Sequence, residues 1–263
     1  MRVYCGLLAW VVSGFGAQWL AAADDEFTPP KHIRLLPVGD PPPFRQEIRG
    51  GVRYELEPPA GSIPPRQVFV PSAGGGKQVS PVRLKLGSTS RPFRASPGTL
   101  AIRARETAED QKAPAWHRLQ VPDHPVSLAI LWRDPQARTW DKARSLVLAD
   151  DLDRFPPGRI RFVNVSPFKV AVRFGGRDLP LAPGKVLLQG KTRSAIDQQP
   201  LLVAFAGKDG EWRPLFNSAV SQAATERTNV VVYRADGFRP RRPAKILILR
   251  ENPSPHPPPR QSP

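Results

Sequence analysis

Histidine and cysteine are the side chains that most often bind transition metals, and this chain offers few of them. The four histidines are His32, His117, His124 and His256, and no two stand at the spacing of a metal-binding pair. The single cysteine is Cys5, close to the amino terminus. The sequence therefore predicts no metal site, although His117 and His124 flank one β-type segment and leave a histidine pair in space open.

Two short motifs resemble phosphate-binding or catalytic signatures, and each lacks a residue that the chemistry needs. Gly74-Gly75-Gly76-Lys77 is followed by Gln78, where a phosphate loop has the Ser or Thr that binds magnesium. Ser166-Pro167-Phe168-Lys169 matches Ser-x-x-Lys, but its second residue is a proline in a β context, whereas that chemistry places Ser and Lys on one helical face. We therefore expect no cofactor and no enzymatic activity.

Two polar clusters resemble a calcium site and a glycosylation site, respectively. Asp150, Asp151 and Asp153 could gather around calcium, but the glycine and glutamate of a spaced calcium loop are missing. We predict a solvated turn there. Asn164-Val165-Ser166 fits a glycosylation acceptor, but it lies in a predicted strand with a proline next.

Positive charge is the strongest functional signal of the sequence. Lys and Arg number 39 against 23 Asp and Glu, so the net charge is +16. Many of these cations alternate with apolar residues, which would place several on one face of a sheet. Such a charge attracts anionic surfaces, and salt weakens the attraction. The candidate contacts with an anionic partner are Arg83, Lys85, Arg103, Arg105, Arg159, Arg161 and Arg173.

The segments that carry these residues read as β-strands. The chain has 33 prolines in 263 residues, far above the usual ~5%, and an interior proline costs a helix about 3 kcal/mol. Period-two alternation, as in Val82 to Leu86, is typical of half-buried antiparallel strands. The clearest runs are 32–36, 51–56, 66–70, 81–86, 99–104, 126–132, 145–148, 159–163, 169–174, 185–188, 201–206, 228–233 and 245–249.

Short strands separated by turn signals such as Pro97-Gly98 and Pro183-Gly184 predict an all-β fold. The length suits two tandem Ig-like antiparallel β-sandwich domains that follow a signal peptide. The predicted divisions are a signal peptide (1–23), a lead-in (24–32), domain one (33–154), a stiff Pro-Pro linker (155–158), domain two (159–251) and a Pro-rich tail (252–263).

A weak internal repeat favours duplication of one domain, although any two antiparallel domains share such patterns. The segment 81–86 followed by the turn and strand 97–100 resembles 169–174 followed by 183–186. The apolar run 128–134 resembles 229–236, and each run ends in an aromatic residue and an arginine.

The amino terminus has the features of a secretory signal. Arg2 precedes an apolar run from Val3 to Leu20, and small residues end the segment at Ala23. Cleavage there would remove Arg2 and Cys5 and leave a cysteine-free mature chain, periplasmic or extracellular, without a transmembrane segment. An uncleaved membrane anchor is the alternative.

The segment from Arg159 to Pro167 reads RIRFVNVSP and resembles the opening strand of secreted bacterial β-sandwich domains of unknown function. The resemblance covers about residues 158–250. It implies a sandwich fold and export, and it brings no catalytic residues. Phe168 and Lys169 replace the acidic residues that usually follow Ser-Pro in such domains.

The sequence thus favours a non-enzymatic, exported envelope or cell-surface protein that binds an anionic surface or a protein client. Export and the lack of a recognised module argue against nucleic acid. One alternative is a periplasmic assembly factor that binds client strands, similar in outline to pilus chaperones. Another is a hydrolase of envelope polymers, which would need His117 or His124 beside a carboxylate or hydroxyl in a pocket.

Overall fold

The computed structural model describes residues 31–42, 44–73, 78–105, 114–190, 192, 195–236 and 240–253. All regular structure in these residues is β, arranged in several small sheets. The predicted signal peptide, the lead-in up to residue 30, the glycine motif 74–77 and the tail from residue 254 lie outside the described residues, as does His256.

The strands of the first half are β1 (Lys31–Val38), β2 (Gln46–Arg49), β3 (Val52–Glu55), β4 (Gln67–Pro71), β5 (Val79–Arg83), β6 (Phe93–Ala95), β7 (Gly98–Ile102), β8 (His117–Val121), β9 (Val126–Arg133) and β10 (Ala143–Ala149). Those of the second half are β11 (Ile160–Asn164), β12 (Val170–Phe174), β13 (Arg177–Leu181), β14 (Val186–Gln189), β15 (Asp197–Ala206), β16 (Trp212–Gln222), β17 (Arg227–Arg234) and β18 (Ala244–Glu251). Every predicted run overlaps one of these strands, although the run 81–86 extends three residues past the end of β5.

Each half contains an inner and an outer sheet. The inner sheets have the orders β10-β9-β1-β6 and β18-β17-β11-β14. The outer sheet of the second half has the order β13-β12-β15-β16. In the first half, the pairs β4–β5 and β7–β8 are joined by a bridge in which Phe69 and Arg103 exchange main-chain hydrogen bonds of 2.8 and 2.9 Å. This gives the corresponding outer order β5-β4-β7-β8.

Strand order and register are therefore the same in the two halves. In the pairing of β1 with β9, Arg34 lies opposite Leu128. In the pairing of β11 with β17, Arg161 lies opposite Asn229, so Arg34 and Arg161 occupy equivalent positions. The predicted repeat is correct for β9 and β17, which occupy equivalent places. It is wrong for 81–86 and 169–174, because these segments form β5 and β12, which are not equivalent. The hairpin β2–β3 has no counterpart among the described residues of the second half.

The prediction of antiparallel pairing throughout is wrong for the centre of each inner sheet. β1 runs parallel to β9, and β11 runs parallel to β17. Parallel strands are found where both faces of a sheet are covered, and such strands are apolar on both sides. Every residue of β11 is buried, and so is every residue of β17 except Arg234.

Three apolar cores account for this burial. The first lies inside the first half and includes Ile33, Leu35 and Leu131. The second lies inside the second half and includes Phe162 and Val230. The third lies between the two inner sheets and contains Leu36, Val38, Leu128, Ile130, Leu148, Val163, Val165, Val231 and Tyr233. Successive residues of an inner strand therefore enter different cores, and the four sheets stack as outer, inner, inner, outer.

Candidate interaction surface

Four of the predicted contact residues lie on the outer sheet of the first half. Arg83 ends β5, and the exposed Lys85 continues its alternation around the buried Leu84. Arg103 lies opposite Phe69 at the end of β7, and Arg105 is exposed two residues later. The strand β8 adds an exposed arginine to this sheet, which the sequence reasoning did not single out. We call these five residues the cationic face: Arg83, Lys85, Arg103, Arg105 and Arg118.

The cationic face carries little compensating charge. None of its five residues forms an ion pair with a carboxylate of the described chain. The Nε of Arg103 is buried without a hydrogen-bond partner within that part of the structure. A buried and unpaired donor is costly, so an acceptor supplied by a ligand would be stabilising there. The face is therefore suited to an anionic partner.

The equivalent surface of the second half has a different character. Its predicted contact, Arg173 on β12, is exposed and lies opposite Asp178 on β13. The guanidinium donates to both carboxylate oxygens, at 2.6 and 2.9 Å. This pairing lowers the pKa of Asp178, so the carboxylate stays charged at neutral pH. Arg173 is thus neutralised in place, in contrast to the five unpaired cations of the cationic face.

The prediction of Arg161 as a surface contact is wrong. Its side chain lies between the inner sheets, and the residue is only 4% exposed. It donates to Asn229 Oδ1 at 2.8 Å, to the carbonyl of Ala149 at 2.7 Å and to Asp150 Oδ1 at 2.9 Å. As expected from alternation, the side chains of Arg161 and Phe162 lie on opposite faces of the sheet. Both of these faces are covered by other parts of the protein. The neighbouring Arg159 is half-buried, with its Nε unpaired among the described residues.

Arg161 belongs to a set of charges that we call the charged junction, formed by Arg34, Asp150, Arg161, Arg227 and Glu251. Arg34 donates to Asp150 at 2.5 Å and to both oxygens of Glu251, at 3.0 and 2.8 Å. Arg227 donates to Asp150 at 3.0 Å and approaches Glu251 at 3.4 Å. The common register makes Arg34 equivalent to Arg161, and Asp150 equivalent to Glu251. The two halves thus exchange ion pairs across their shared core.

The linker segment contributes an aromatic ring to the charged junction. Phe155 is buried, and the guanidinium carbons of Arg161 and Arg227 lie 4.1 and 5.1 Å from its ring centre. Burial lowers the pKa of Arg161, and Asp150 opposes that effect. Burial also acts on Arg34, but Asp150 and Glu251 outweigh it and raise the pKa of that residue. Arginine remains charged at physiological pH in either case.

The acidic cluster is therefore not the solvated turn that the sequence predicts. Asp150 is 2% exposed and Asp151 is also buried, whereas Asp153 is exposed. Asp151 accepts from the main-chain N–H of Arg154 at 2.9 Å and from its guanidinium at 3.0 Å. Within the described residues, no group of three or more His, Cys, Asp or Glu side chains is placed to hold a metal ion.

A second polar cluster also joins the two halves. It consists of Asp40, Tyr233, Asp236 and Lys245. Asp40 and Asp236 each accept the other's main-chain N–H, at 3.0 and 3.1 Å. Asp40 also accepts from the Tyr233 hydroxyl at 3.1 Å and from the Lys245 ammonium at 2.8 Å. Burial and the adjacent Asp40 raise the pKa of Tyr233, so its hydroxyl remains a donor. The cluster thus ties the two halves through backbone and side chains.

One histidine does lie beside a hydroxyl. His117 Nε2 and Ser145 Oγ are 2.9 Å apart, which connects β8 to β10. Burial lowers the pKa of His117, and the Ala143 backbone opposes the shift, so the ring is neutral at pH 7. No carboxylate of the described residues hydrogen-bonds this imidazole. A cavity of about 10 Å³ does occur, but residues such as Trp132 and Tyr233 line it, not His117 or Ser145.

The residues of the two remaining motifs have structural roles. Asn164 is buried, and its Nδ2 donates to the carbonyls of Phe168 and Leu181 at 2.8 and 3.0 Å. The Ser166 hydroxyl donates to Asn164 Oδ1 at 2.6 Å. This arrangement stabilises the turn after β11 and leaves the amide inaccessible to glycosylation. The hydroxyl of Ser166 likewise has a structural hydrogen bond.

No protein-family model matches this chain, and no curated protein does either. Among the residues that the structure describes, no helix has the length and apolar character needed to cross a membrane.

Proposed function

We propose that this protein is a non-enzymatic, exported β-sandwich protein of the envelope or cell surface. It binds an anionic partner through the cationic face of its first half. The partner is a phosphate-bearing or carboxylate-bearing surface, such as a lipid headgroup layer, lipopolysaccharide or an anionic glycan. Export rests on the predicted signal peptide and on the resemblance of residues 158–250 to secreted β-sandwich domains.

The observation that carries the proposal is the difference between two equivalent outer sheets. One presents Arg83, Arg103 and Arg118 without carboxylate partners in the described chain, and the other pairs Arg173 with Asp178. The unpaired charges of the cationic face repel one another, and an anionic partner would offset that repulsion. We interpret each half as an Ig-like sandwich, because each has two facing sheets around its own core.

A binding experiment with four substitutions tests this function. Replacement of Arg83, Arg103, Arg105 and Arg118 by Gln should weaken binding to vesicles of anionic phospholipid at least tenfold, because each cation near such a surface contributes roughly 1 kcal/mol. Cosedimentation at low and physiological ionic strength measures the affinity. The wild-type affinity should fall steeply with salt.

The matched control removes the same charge elsewhere. Arg177, Lys208, Arg241 and Arg250 are exposed and form no ion pair within the described residues. Their replacement by Gln should change binding less than threefold. Equal losses in the two variants would show that net charge, and not the cationic face, attracts the vesicles. Binding that ignores salt would remove the electrostatic proposal altogether.

A hydrolase is the second candidate, and the contact between His117 and Ser145 is the observation that favours it. Among the described residues, no carboxylate hydrogen-bonds and orients this imidazole, in contrast to a catalytic triad. Incubation of the wild-type protein and the Ser145→Ala variant with isolated envelope polymer distinguishes the candidates. Turnover that requires Ser145 would establish the enzyme, and its absence in both proteins favours the binding function.

A further inference from the structure

The hairpin β2–β3 is an addition to the repeated sheet order, and it pairs with no other strand of the described residues. All eight of its strand residues are exposed. Four of the eight large apolar side chains that are exposed in the described chain belong to it or to the residues just before it: Phe44, Ile48, Val52 and Tyr54. An isolated two-stranded hairpin is only marginally stable in water, whereas additional strands with an apolar face stabilise it.

The turn of the hairpin determines which main-chain groups are free. Gly50 and Gly51 have φ values of 57° and 80°, as a two-residue type I′ turn requires. The N–H of Leu56 donates to the carbonyl of Arg45 at 2.9 Å. Because hydrogen-bonded and non-bonded pairs alternate in antiparallel strands, the backbones of Val52 and Tyr54 face β2. The N–H and C=O groups of the residues between and after them, Arg53 and Glu55, therefore point to the free edge.

We propose that this free edge of β3 joins two copies of the chain into a symmetric dimer. An antiparallel pair centred on Tyr54 places Arg53 of one copy opposite Glu55 of the other, twice. These two residues carry the main-chain groups that point away from β2. In this register the N–H and C=O groups of Arg53 in one copy pair with those of Glu55 in the other. The two-fold symmetry repeats the pair, so all these groups are hydrogen-bonded. A two-fold interface needs a self-complementary surface of this kind.

The side chains are complementary in the same register. Val52 of each copy lies opposite Leu56 of the other, and the two Tyr54 rings are neighbours on that face. The opposite face has two ion pairs between Arg53 and Glu55. Within the described chain, neither of these charged residues has an ion-pair partner, so both are available. The product is a four-stranded sheet, β2-β3-β3-β2, with an apolar stripe.

The other edge of the hairpin is less suited to the same pairing. On β2 the charged residues are Glu47 and Arg49, and they already pair with each other at 2.7 Å. An antiparallel pair centred on Glu47 would place two carboxylates side by side, which destabilises a sheet. The free edge of β3 therefore favours a second copy of this chain. A client strand on that edge, as an assembly factor would bind, is the alternative outcome of the test.

Charge reversal tests the dimer in the full chain. Arg53→Glu and Glu55→Arg each place like charges opposite each other across the two-fold axis, so each variant should be monomeric where the wild type is dimeric. Neither residue has a charged partner across the hairpin, since their neighbours are Ile48 and Gln46, so both variants retain the fold. Sedimentation velocity over a concentration series measures the association.

Mixing the two variants gives the decisive result. One chain presents two carboxylates and the other two guanidinium groups, so an equimolar mixture should restore a dimer. The control Glu47→Arg with Arg49→Glu, on β2, should leave the wild-type dimer unchanged. A wild-type chain that stays monomeric at all concentrations would overturn the proposal and leave the edge open to a client strand. Dimers that survive either single reversal, or monomers that fail to associate on mixing, would also overturn it.

Discussion

Asp150 has three arginine partners in the charged junction, and its carboxylate is fully buried. Two of these partners, Arg161 and Arg227, have side chains that are only 5% exposed. A buried ion pair is weak evidence of net stabilisation, because desolvation offsets much of the attraction. Removal of one partner is a different matter, since the remaining charges stay buried without compensation. Asp150 is thus the residue on which the junction depends most.

Replacement of Asp150 by Ala should lower the free energy of unfolding by roughly 3–5 kcal/mol, the usual cost of breaking a buried ion pair. Urea denaturation followed by fluorescence measures this difference. Asp153→Ala is the matched control, because that carboxylate is three residues away and exposed, and it should have an effect within ~0.5 kcal/mol. Equal effects of the two substitutions would mean that the junction does not stabilise the fold.

Individual strands could be located from their sequence, but the surroundings of their side chains could not. The run from Arg159 to Val163 is identified as a strand, and its alternation correctly puts Arg161 and Phe162 on opposite faces. Whether the arginine face meets water or another sheet depends on what packs there. The continuous apolar stretches of β9 and β17 were the available sign that both faces are covered.

At the scale of elements, the hairpin β2–β3 is set apart from the rest of the molecule. The other strands form the four layers, and the hairpin contributes to none of the three cores. Its apolar residues Ile48, Val52 and Tyr54 are at least half exposed. An exposed apolar element of this kind is suited to contacts outside the chain, such as the proposed β3 dimer.

Deletion of residues 46–55, with a short Gly-Ser connection from Arg45 to Leu56, should change the free energy of unfolding of the monomer by less than ~1 kcal/mol. The reason is that no core residue is removed, and the two ends already share a hydrogen bond of 2.9 Å. Thermal and urea denaturation at low protein concentration check this expectation. A large loss of stability would show that the hairpin supports the fold of the first half, contrary to its isolation in the sheet order.

At the scale of the whole molecule, the two halves pack against each other and are not connected by a stiff linker alone. The third core buries apolar residues from both inner sheets, and polar clusters with ion pairs between the halves adjoin it. The prolines at 156 and 157 lie beside a buried Phe155 that packs on arginines of the second half. The connection is therefore part of a packed interface.

Because of this interface, differential scanning calorimetry should detect one unfolding transition for both halves. Val68→Ala in the first core and Val203→Ala in the second should each lower the same transition temperature, since the halves unfold together. Two transitions, with each substitution affecting only one of them, would contradict this coupling and restore the picture of independent domains.

The sequence by itself determined the strand-rich class, the positions of most strands and the excess of positive charge, because period-two alternation, turn residues and composition are local properties of the chain. Only the tertiary structure decided which cations are exposed. Arg83 and Arg103 share an outer sheet, whereas Arg161 lies between two sheets, beside Asp150. The physical reason is that alternation assigns a residue to a face of its strand, while the packing of distant strands decides whether that face meets solvent, another sheet or a counter-charge.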